Sequence, residues 1–201
     1  SLKSLDPDGC RPFDKGRAGL SLGEGAGAVL LVRGDLANDG EPVFLRGWST
    51  SNDANHLTGP SRDGSGLALA VQRALDMAGV KAAAIDYINA HGTGTAYNDA
   101  MEALAYRTVF GDGIPPLSST KALTGHTLGA AGVLETIICS IAGCNGLMPG
   151  TPGLLTRDES MPGSVLTEPR QEKKMKYILK TNAGFGGVNG ALVLEIVDKH
   201  A

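Results

Sequence analysis

The feature that most constrains the fold is a short apolar segment followed by a polar, glycine-rich one, a pairing that occurs three times. The apolar segments at 86–90, 117–119 and 177–181 have the length and residue types of buried strands. Small, polar and glycine residues accompany their C-terminal ends, over 89–95, 118–126 and 182–189. Because ligand sites in open α/β sheets lie at the C-terminal ends of strands, the sequence predicts a functional site where these segments meet.

The segments between these strands have the periodicity of helices. Apolar residues on one face predict a helix over 64–79, and a second helix over 100–110 has Asp99 as its predicted N-cap. A third helix, over 129–143, is apolar on nearly every side apart from Glu135. That pattern is typical of a helix buried in a large protein or at an interface.

Two further strands are predicted before the first helix. Residues 19–32 and 43–51 both have strand patterns, and the polar turn at 38–40 makes the pair resemble a hairpin. The last strand covers 191–197, and the segment 146–172, rich in Pro, Gly and Thr, is predicted to be a loop. This order of elements indicates an α/β domain with a partly parallel sheet.

Charge and cysteine content exclude other classes of protein. The net charge is −3 and the densest basic cluster is Lys173, Lys174 and Lys176, so no nucleic-acid surface is predicted. No run approaches the roughly 18 apolar residues of a membrane span and the first residues lack a signal-peptide core, which predicts a cytoplasmic protein. Three cysteines without a CxxC pair suit a reducing compartment.

Two histidines in the polar segments are candidate functional residues. His91 precedes Gly-Thr-Gly-Thr at a strand end, and His126 follows Lys121 by five residues. Two neutral imidazoles in this setting donate Nε2–H bonds to a carbonyl oxygen that becomes negative during a reaction, while a lysine sets the local field. Glu135 is costly to bury alone, and Lys121 is its natural partner. The alternative is a structural His91, an incidental His126 and a solvated Lys121.

Phosphate and metal sites are not predicted. The segment GLSLGEGAG is followed by no Lys-Ser/Thr pair, and no GxGxxG opens an amphipathic helix. None of the four histidines has the i, i+3 or i, i+4 spacing of a helical metal site; they are His56, His91, His126 and His200. No cofactor is expected.

Four longer motifs occur in order along the chain: CRPFDKGRAGLSLGEGAGAVLL, NAHGTGTAYNDAMEA, SSTKALTGHTLGAAGVLE and NAGFGGVN. Together they resemble the C-terminal half of β-ketoacyl-acyl-carrier-protein synthases, condensing enzymes of the thiolase-like superfamily, over essentially the whole chain. The resemblance implies an α/β, thiolase-like fold with a mixed, mostly parallel sheet and helices on both faces, one half of an αβαβα layered fold. It also implies that residues 1–34 end the N-terminal ketosynthase half, as a linker and a strand, and that residues 35–201 form the C-terminal domain.

The resemblance implies a decarboxylating Claisen condensation of malonyl-acyl-carrier protein with an acyl thioester, as in fatty-acid or polyketide synthesis. His91 and His126 match the histidines that stabilise the enolate-like charge formed when carbon dioxide leaves. Lys121 matches the lysine that organises the site, and Glu135 matches its partner. Phosphopantetheine enters as part of the carrier-protein substrate.

Further positions match residues that contact substrate or a cation. Thr93 and Thr95 match threonines that contact the pantetheine arm. Phe185, between Gly184 and Gly186, matches a gate beside the acyl-accepting cysteine. Two acidic positions match residues near the active-site floor, close to a bound monovalent cation: Asp99 and Glu102.

The family's nucleophilic cysteine lies in the N-terminal half, which this sequence does not contain. Cys10 lies in a loop without a helix start, and Cys139 and Cys144 belong to an apolar helix, where desolvation raises a thiol pKa. We therefore expect the chain alone to be inactive. Its expected partners are an acyl-carrier protein and the missing ketosynthase half, in a homo- or heterodimer. The alternative is a non-catalytic partner resembling a chain-length factor, although such partners commonly lose the histidines and lysine that are present here.

Overall fold

The computed structural model describes residues 5–36, 42–162, 164–172 and 175–197. Seven strands are present in the described residues: β1 (Val43–Asn52), β2 (Tyr87–Asn89), β3 (Leu117–Ser118), β4 (Leu147–Met148), β5 (Arg170–Gln171), β6 (Tyr177–Gly184) and β7 (Val188–Ile196). The α-helices of the same residues are α1 (Ser65–Ala78), α2 (Ala96–Phe110), α3 (Lys121–Thr124) and α4 (Ala131–Cys144). Short 3-10 turns cover Gly34–Leu36, Ala82–Ala84, Leu128–Ala130 and Phe185–Gly187.

Five strands form one mixed sheet in the order β1-β7-β6-β2-β3. Strands β6, β2 and β3 are parallel, whereas β7 is antiparallel to both of its neighbours. The mixed sheet is confirmed, but parallel pairing is less extensive than predicted, because β6 returns directly into β7 through a tight turn and the long ladders are antiparallel. The three parallel strands end at one edge of the sheet, as the sequence predicted.

Helices cover both faces of this sheet. Alternate residues of β6 point to opposite faces, so Leu179 joins the core beneath α1 and α2 while Ile178 packs with Cys139 of α4. Ile141 of α4 is exposed while Cys139 is buried, so this apolar helix buries one side here, and the interface predicted for it stays a prediction. No helix within the described segments is both long and apolar enough to cross a membrane.

The prediction for residues 19–32 was wrong. This segment forms no strand and makes only isolated bridges, at Leu20 and Leu22, and all residues from 24 to 32 are exposed. The predicted hairpin is also wrong, because β1 pairs with β7 instead. Its predicted turn at 38–40 lies outside the described residues. The apolar run at 29–32 has the composition of a buried strand, but within the described residues no strand pairs with it.

Helix α2 begins earlier than predicted. Thr95 is its N-cap, and Asp99 lies in the first turn. The carboxylate of Asp99 accepts the backbone N–H bonds of Phe13 and Thr93, at 2.9 and 3.1 Å. Asp99 therefore ties α2 to two loops rather than starting the helix. Phe13 is buried in the main core, so residues before 34 also pack on this domain.

Candidate active site

Four predicted residues meet at the C-terminal ends of the parallel strands and form the histidine cluster: His91, Lys121, His126 and Glu135. His91 lies two residues beyond β2, Lys121 begins α3 just after β3, and Glu135 lies in α4. The rings of His91 and His126 contact edge to face, with centroids 5.1 Å apart and planes at 82°. The positive charge of the buried Lys121 acts on both rings, and the catalytic role of these residues stays a prediction.

Hydrogen bonds assign the same tautomer to both histidines. The amide nitrogen of Asn182 lies 3.2 Å from Nδ1 of His91, and the backbone N–H of Leu128 lies 3.2 Å from Nδ1 of His126. Both groups are donors, so each Nδ1 accepts and each Nε2 carries the hydrogen. The pair therefore offers two N–H donors on rings whose centroids lie 5.1 Å apart.

Burial and charge keep both rings neutral. Burial lowers the pKa of His91 well below its usual value, and the positive charges of Lys121 and Lys180 lower it further. Burial also lowers the pKa of His126 to about 4, with Lys121 as the next cause. Near neutral pH neither ring carries a charge, so each keeps a lone pair at Nδ1 and a hydrogen at Nε2.

The buried carboxylate of Glu135 pairs with two lysines, Lys121 and Lys180. Nζ of Lys121 donates to the backbone oxygen of His91 at 2.5 Å and pairs with Oε1 of Glu135, which is the predicted ion pair. Nζ of Lys180 lies 2.8 Å from Oε2 of the same carboxylate. Burial raises the pKa of Glu135, but Lys180 and Lys121 outweigh it and the pKa is lowered. Burial lowers the pKa of Lys121.

Sequence reasoning missed two residues of this cluster, Lys180 and Asn182. Both belong to β6 and lie two positions apart, so they share the face that meets α4. The available signal was a lysine inside the otherwise apolar strand segment YILKT, because a charge buried in a sheet needs a partner.

Residues 20–23 hold the loop that carries His126. The backbone N–H of His126 donates to Ser21 at 2.7 Å, and its carbonyl accepts from Gly23 at 3.2 Å. A Cβ at Gly23 would lie 2.1 Å from the carbonyl oxygen of Thr124, so only glycine permits this approach. The segment predicted to be a buried strand therefore positions a candidate catalytic loop instead.

Two buried carboxylates hold the loop that carries His91. Glu102 accepts the backbone N–H bonds of His91 and Gly92, at 2.8 and 2.7 Å, and Asp99 accepts that of Thr93. Burial raises the pKa of Asp99 to about 6, with Glu102 as the next cause, and burial likewise raises that of Glu102. Each of the four carboxylate oxygens already accepts at least one N–H bond. Anchoring the loop accounts for both residues, and the monovalent cation stays a prediction.

The predicted substrate contacts lie around this edge without joining the histidine cluster. Thr93 is buried, and its hydroxyl oxygen lies 2.8 Å from that of Thr95. Phe185 is 64% exposed on the turn between β6 and β7. Gly186 has a left-handed backbone, with φ of 78°, whereas Gly184 is extended. Their roles in binding and gating stay predictions.

None of the three cysteines lies at the N-terminal end of a helix, where a thiolate is stabilised. Burial raises the pKa of Cys10 to about 11, and its Sγ donates to the carbonyl of Thr93 at 3.1 Å. Burial raises the pKa of Cys139 to about 12. Cys144 is exposed at the C-terminal end of α4, opposite to the helix end that stabilises a thiolate.

Known proteins share this fold and sequence pattern. The family model for the beta-ketoacyl synthase C-terminal domain matches residues 43–154. The 3-oxoacyl-[acyl-carrier-protein] synthase 2 of Coxiella burnetii is 40% identical over 98% of this chain and 49% of its own length. The structure titled "The ishigamide ketosynthase/chain length factor" is 36% identical, with a TM-score of 0.92 over 98% of this chain and 49% of its own.

A second similar structure is a type II polyketide-synthase ketosynthase in complex with its acyl-carrier protein. It is 29% identical, with a TM-score of 0.90 over 98% of this chain and half of its own. The mixed sheet covered by helices on both faces thus defines a thiolase-like α/β protein. By sequence, the chain belongs to the β-ketoacyl synthase family, in which it corresponds to the C-terminal domain. It spans about half the length of the curated relatives that it matches.

Proposed function

We propose that this chain supplies the decarboxylation half of a β-ketoacyl-acyl-carrier-protein synthase. The observation that carries the proposal is the pair of neutral histidines, His91 and His126, whose Nδ1 atoms both accept hydrogen bonds. Their Nε2–H groups are free to donate to one oxygen, and donors arranged before the reaction stabilise the charge that develops there.

In the proposed reaction, malonyl-acyl-carrier protein loses its carboxylate beside these histidines. The bond between the carboxylate carbon and C2 breaks, carbon dioxide leaves, and the electron pair passes into an enolate whose oxygen accepts both Nε2–H bonds. The enolate carbon then attacks an acyl thioester, a carbon–carbon bond forms, and a cysteine thiolate leaves. Lys121 adds positive charge, and its Nζ holds the backbone of His91 by donating a hydrogen bond to the backbone oxygen of His91.

The acyl-accepting cysteine of this proposal belongs to the other half of the enzyme. Burial raises the pKa of Cys10 to about 11 and that of Cys139 to about 12, so neither is an activated thiol. The exposed apolar run at 29–32 supports the presence of a second half, because four consecutive apolar residues would gain by pairing with a sheet there. We propose that residues 1–34 join that half to the C-terminal domain.

The test uses the full-length protein that contains this chain, with labelled malonyl-acyl-carrier protein as substrate. His91→Ala and His126→Ala are each expected to lower release of labelled carbon dioxide by at least about a hundredfold, because an oxyanion donor is lost. Acylation of the nucleophilic cysteine is expected to persist. His56→Ala is the matched control, since this exposed histidine accepts bonds from its own loop.

Unchanged carbon dioxide release in both histidine variants would refute the proposed function. Intact mass spectrometry of this chain alone, incubated with acyl-carrier protein, is expected to show no covalent acyl group, and one added acyl group would contradict the assignment of the nucleophile. A full-length protein that is neither acylated nor able to release carbon dioxide would instead fit a non-catalytic partner, such as the chain-length factor named with the ishigamide ketosynthase.

A further inference from the structure

Lys180 is a buried charge that the proposed reaction does not use directly. It lies in the middle of β6 and is 1% exposed. A lysine in this position loses its hydration, so it is stable there only when a carboxylate and further acceptors surround it. Its ammonium group pairs with Glu135 and also donates to the carbonyl of Thr181. The charge is therefore fixed in place within the sheet.

Three consecutive contacts link this ammonium group to His91. Nζ of Lys180 lies 2.8 Å from Oε2 of Glu135, and the amide nitrogen of Asn182 lies 3.4 Å from the same oxygen. The same amide nitrogen lies 3.2 Å from Nδ1 of His91. Glu135 thus has one oxygen facing Lys121 and the other facing both Lys180 and Asn182.

We propose that Lys180 is a positioning residue for His91, acting through Glu135 and Asn182. Lys180 holds Oε2 of the carboxylate, Oε2 holds the amide nitrogen of Asn182 toward the cluster, and that nitrogen holds Nδ1 of His91 as an acceptor. This inference rests on the proposed function, because it explains how His91 keeps its hydrogen on Nε2, the atom that faces the enolate oxygen.

The orientation of the amide decides the tautomer. The side chain of Asn182 has a donor nitrogen and an acceptor oxygen on its two arms, and exchanging them places the oxygen against Nδ1. His91 would then favour hydrogen on Nδ1 and a lone pair on Nε2, which repels an enolate oxygen instead of binding it. A carboxylate oxygen beside the nitrogen arm favours the productive orientation, and Lys180 keeps that oxygen in place.

The test measures the tautomer of His91 by nitrogen-15 NMR in the full-length protein with labelled histidine. The wild-type protein is expected to show a protonated Nε2 and an accepting Nδ1. Lys180→Met is expected to shift the population toward protonated Nδ1 and to lower carbon dioxide release by about tenfold to a hundredfold, as small misplacements of catalytic groups do. Lys180→Arg is expected to restore most of both, because its cation can reach the same carboxylate.

The matched control is Lys176→Met, which removes an exposed lysine next to the start of the same strand. It is expected to change neither readout. Unchanged nitrogen shifts for His91 in a folded Lys180→Met protein would overturn the proposal, whatever happens to the activity. If that variant does not fold, Asn182→Ala at a half-buried position provides the same test, and an unaltered His91 tautomer there overturns the proposal equally.

The two proposals fail in different ways. If the wild-type protein releases no carbon dioxide, the proposed function fails, while the tautomer measurement still reports on the contact between Lys180 and His91. If carbon dioxide is released but Lys180→Met leaves the tautomer of His91 unchanged, the positioning role fails and the proposed function stands.

Discussion

The histidine cluster and the apolar run at 29–32 have opposite relations to water. In the cluster, polar and charged groups such as Lys121, Lys180 and Glu135 are almost completely buried and bonded to one another. In the apolar run, side chains with no polar group are exposed, and Leu30 is 88% accessible. The cluster therefore pairs its charges within the domain, whereas the run leaves apolar surface uncovered.

This difference teaches which parts of the chain are self-sufficient. Buried charges must be paired within the domain that buries them, because an unpaired one costs several kcal/mol. Exposing an apolar side chain to water costs less free energy than burying an unpaired charge. Apolar side chains can therefore be exposed in one half of a protein and buried in the complete protein. The histidine cluster is complete within this chain, and the apolar run is expected to belong to an interface with the other half.

The largest expected effect comes from breaking the buried cluster. Glu135→Gln leaves two buried lysines without a carboxylate, and in the full-length protein it is expected to lower the free energy of unfolding by about 3–5 kcal/mol. Urea unfolding measures this loss. Glu159→Gln is the control at an exposed acidic residue. A loss under about 1 kcal/mol would mean that the lysines do not depend on Glu135.

The next effect concerns the apolar run. In the full-length protein, Leu30→Ser is expected to lower the free energy of unfolding by about 2–4 kcal/mol, as for a buried leucine that is truncated. The same measurement on Leu57→Ser, at an exposed loop residue, is expected to show a change within about 0.5 kcal/mol. Equal, small changes in both variants would show that the run stays exposed.

A smaller effect is expected where the segment before this run touches the site. Gly23→Ala places a Cβ against the carbonyl oxygen of Thr124, so it is expected to cost about 1–3 kcal/mol and to displace the loop that carries His126. Urea unfolding and carbon dioxide release measure the two consequences. Gly34→Ala adds the same atom where no other atom lies within 4 Å, and it is expected to change neither.

The effect that is smallest near neutral pH is the contribution of one histidine to the pH dependence of stability. The pKa of His126 falls from its usual 6.5 to about 4 on folding, chiefly through burial. Between pH 6.5 and 4, the unfolded chain therefore binds a proton at His126 that the folded protein does not bind. The free energy of unfolding is consequently unaffected by this titration above pH 6.5 and declines as the pH falls toward 4.

His126→Gln removes this titration. The stability of the wild-type protein relative to this variant is expected to shrink as the pH is lowered, as measured by urea unfolding at several pH values in the full-length protein. A constant difference across the same range would show that His126 titrates alike in the folded and unfolded states.

Much of the fold could be predicted because its signals are local. The helix at Ser65–Ala78 and the strand at Tyr87–Asn89 follow from periodicity and residue type, and the meeting of three strand ends follows from their parallel order. The pairing of β1 with β7 could not be predicted, since it joins residues about 140 positions apart and nothing local selects that partner. An apolar run has the same pattern whether or not a strand lies beside it.

The candidate site, like the fold, could be predicted only in part. Four residues were predicted from their residue types and from motifs that resemble those of β-ketoacyl synthases: His91, His126, Lys121 and Glu135. Lys180 was missed because its partner is 45 residues earlier in the sequence, on a helix that only the folded sheet brings near. Side-chain contacts across elements depend on packing, and strand patterning alone does not specify them.

The central claim is that the two Nε2–H groups bind one developing oxyanion. Infrared spectroscopy tests it with a carbon-13-labelled sulfoacetyl thioester of the pantetheine arm, a malonyl analogue that does not decarboxylate, bound to the full-length protein. The carbonyl stretch of the bound thioester is expected to lie below its frequency in water, and part of this shift is expected to disappear in His91→Ala and in His126→Ala. A carbonyl frequency that is the same in the wild-type protein and both variants would contradict the claim.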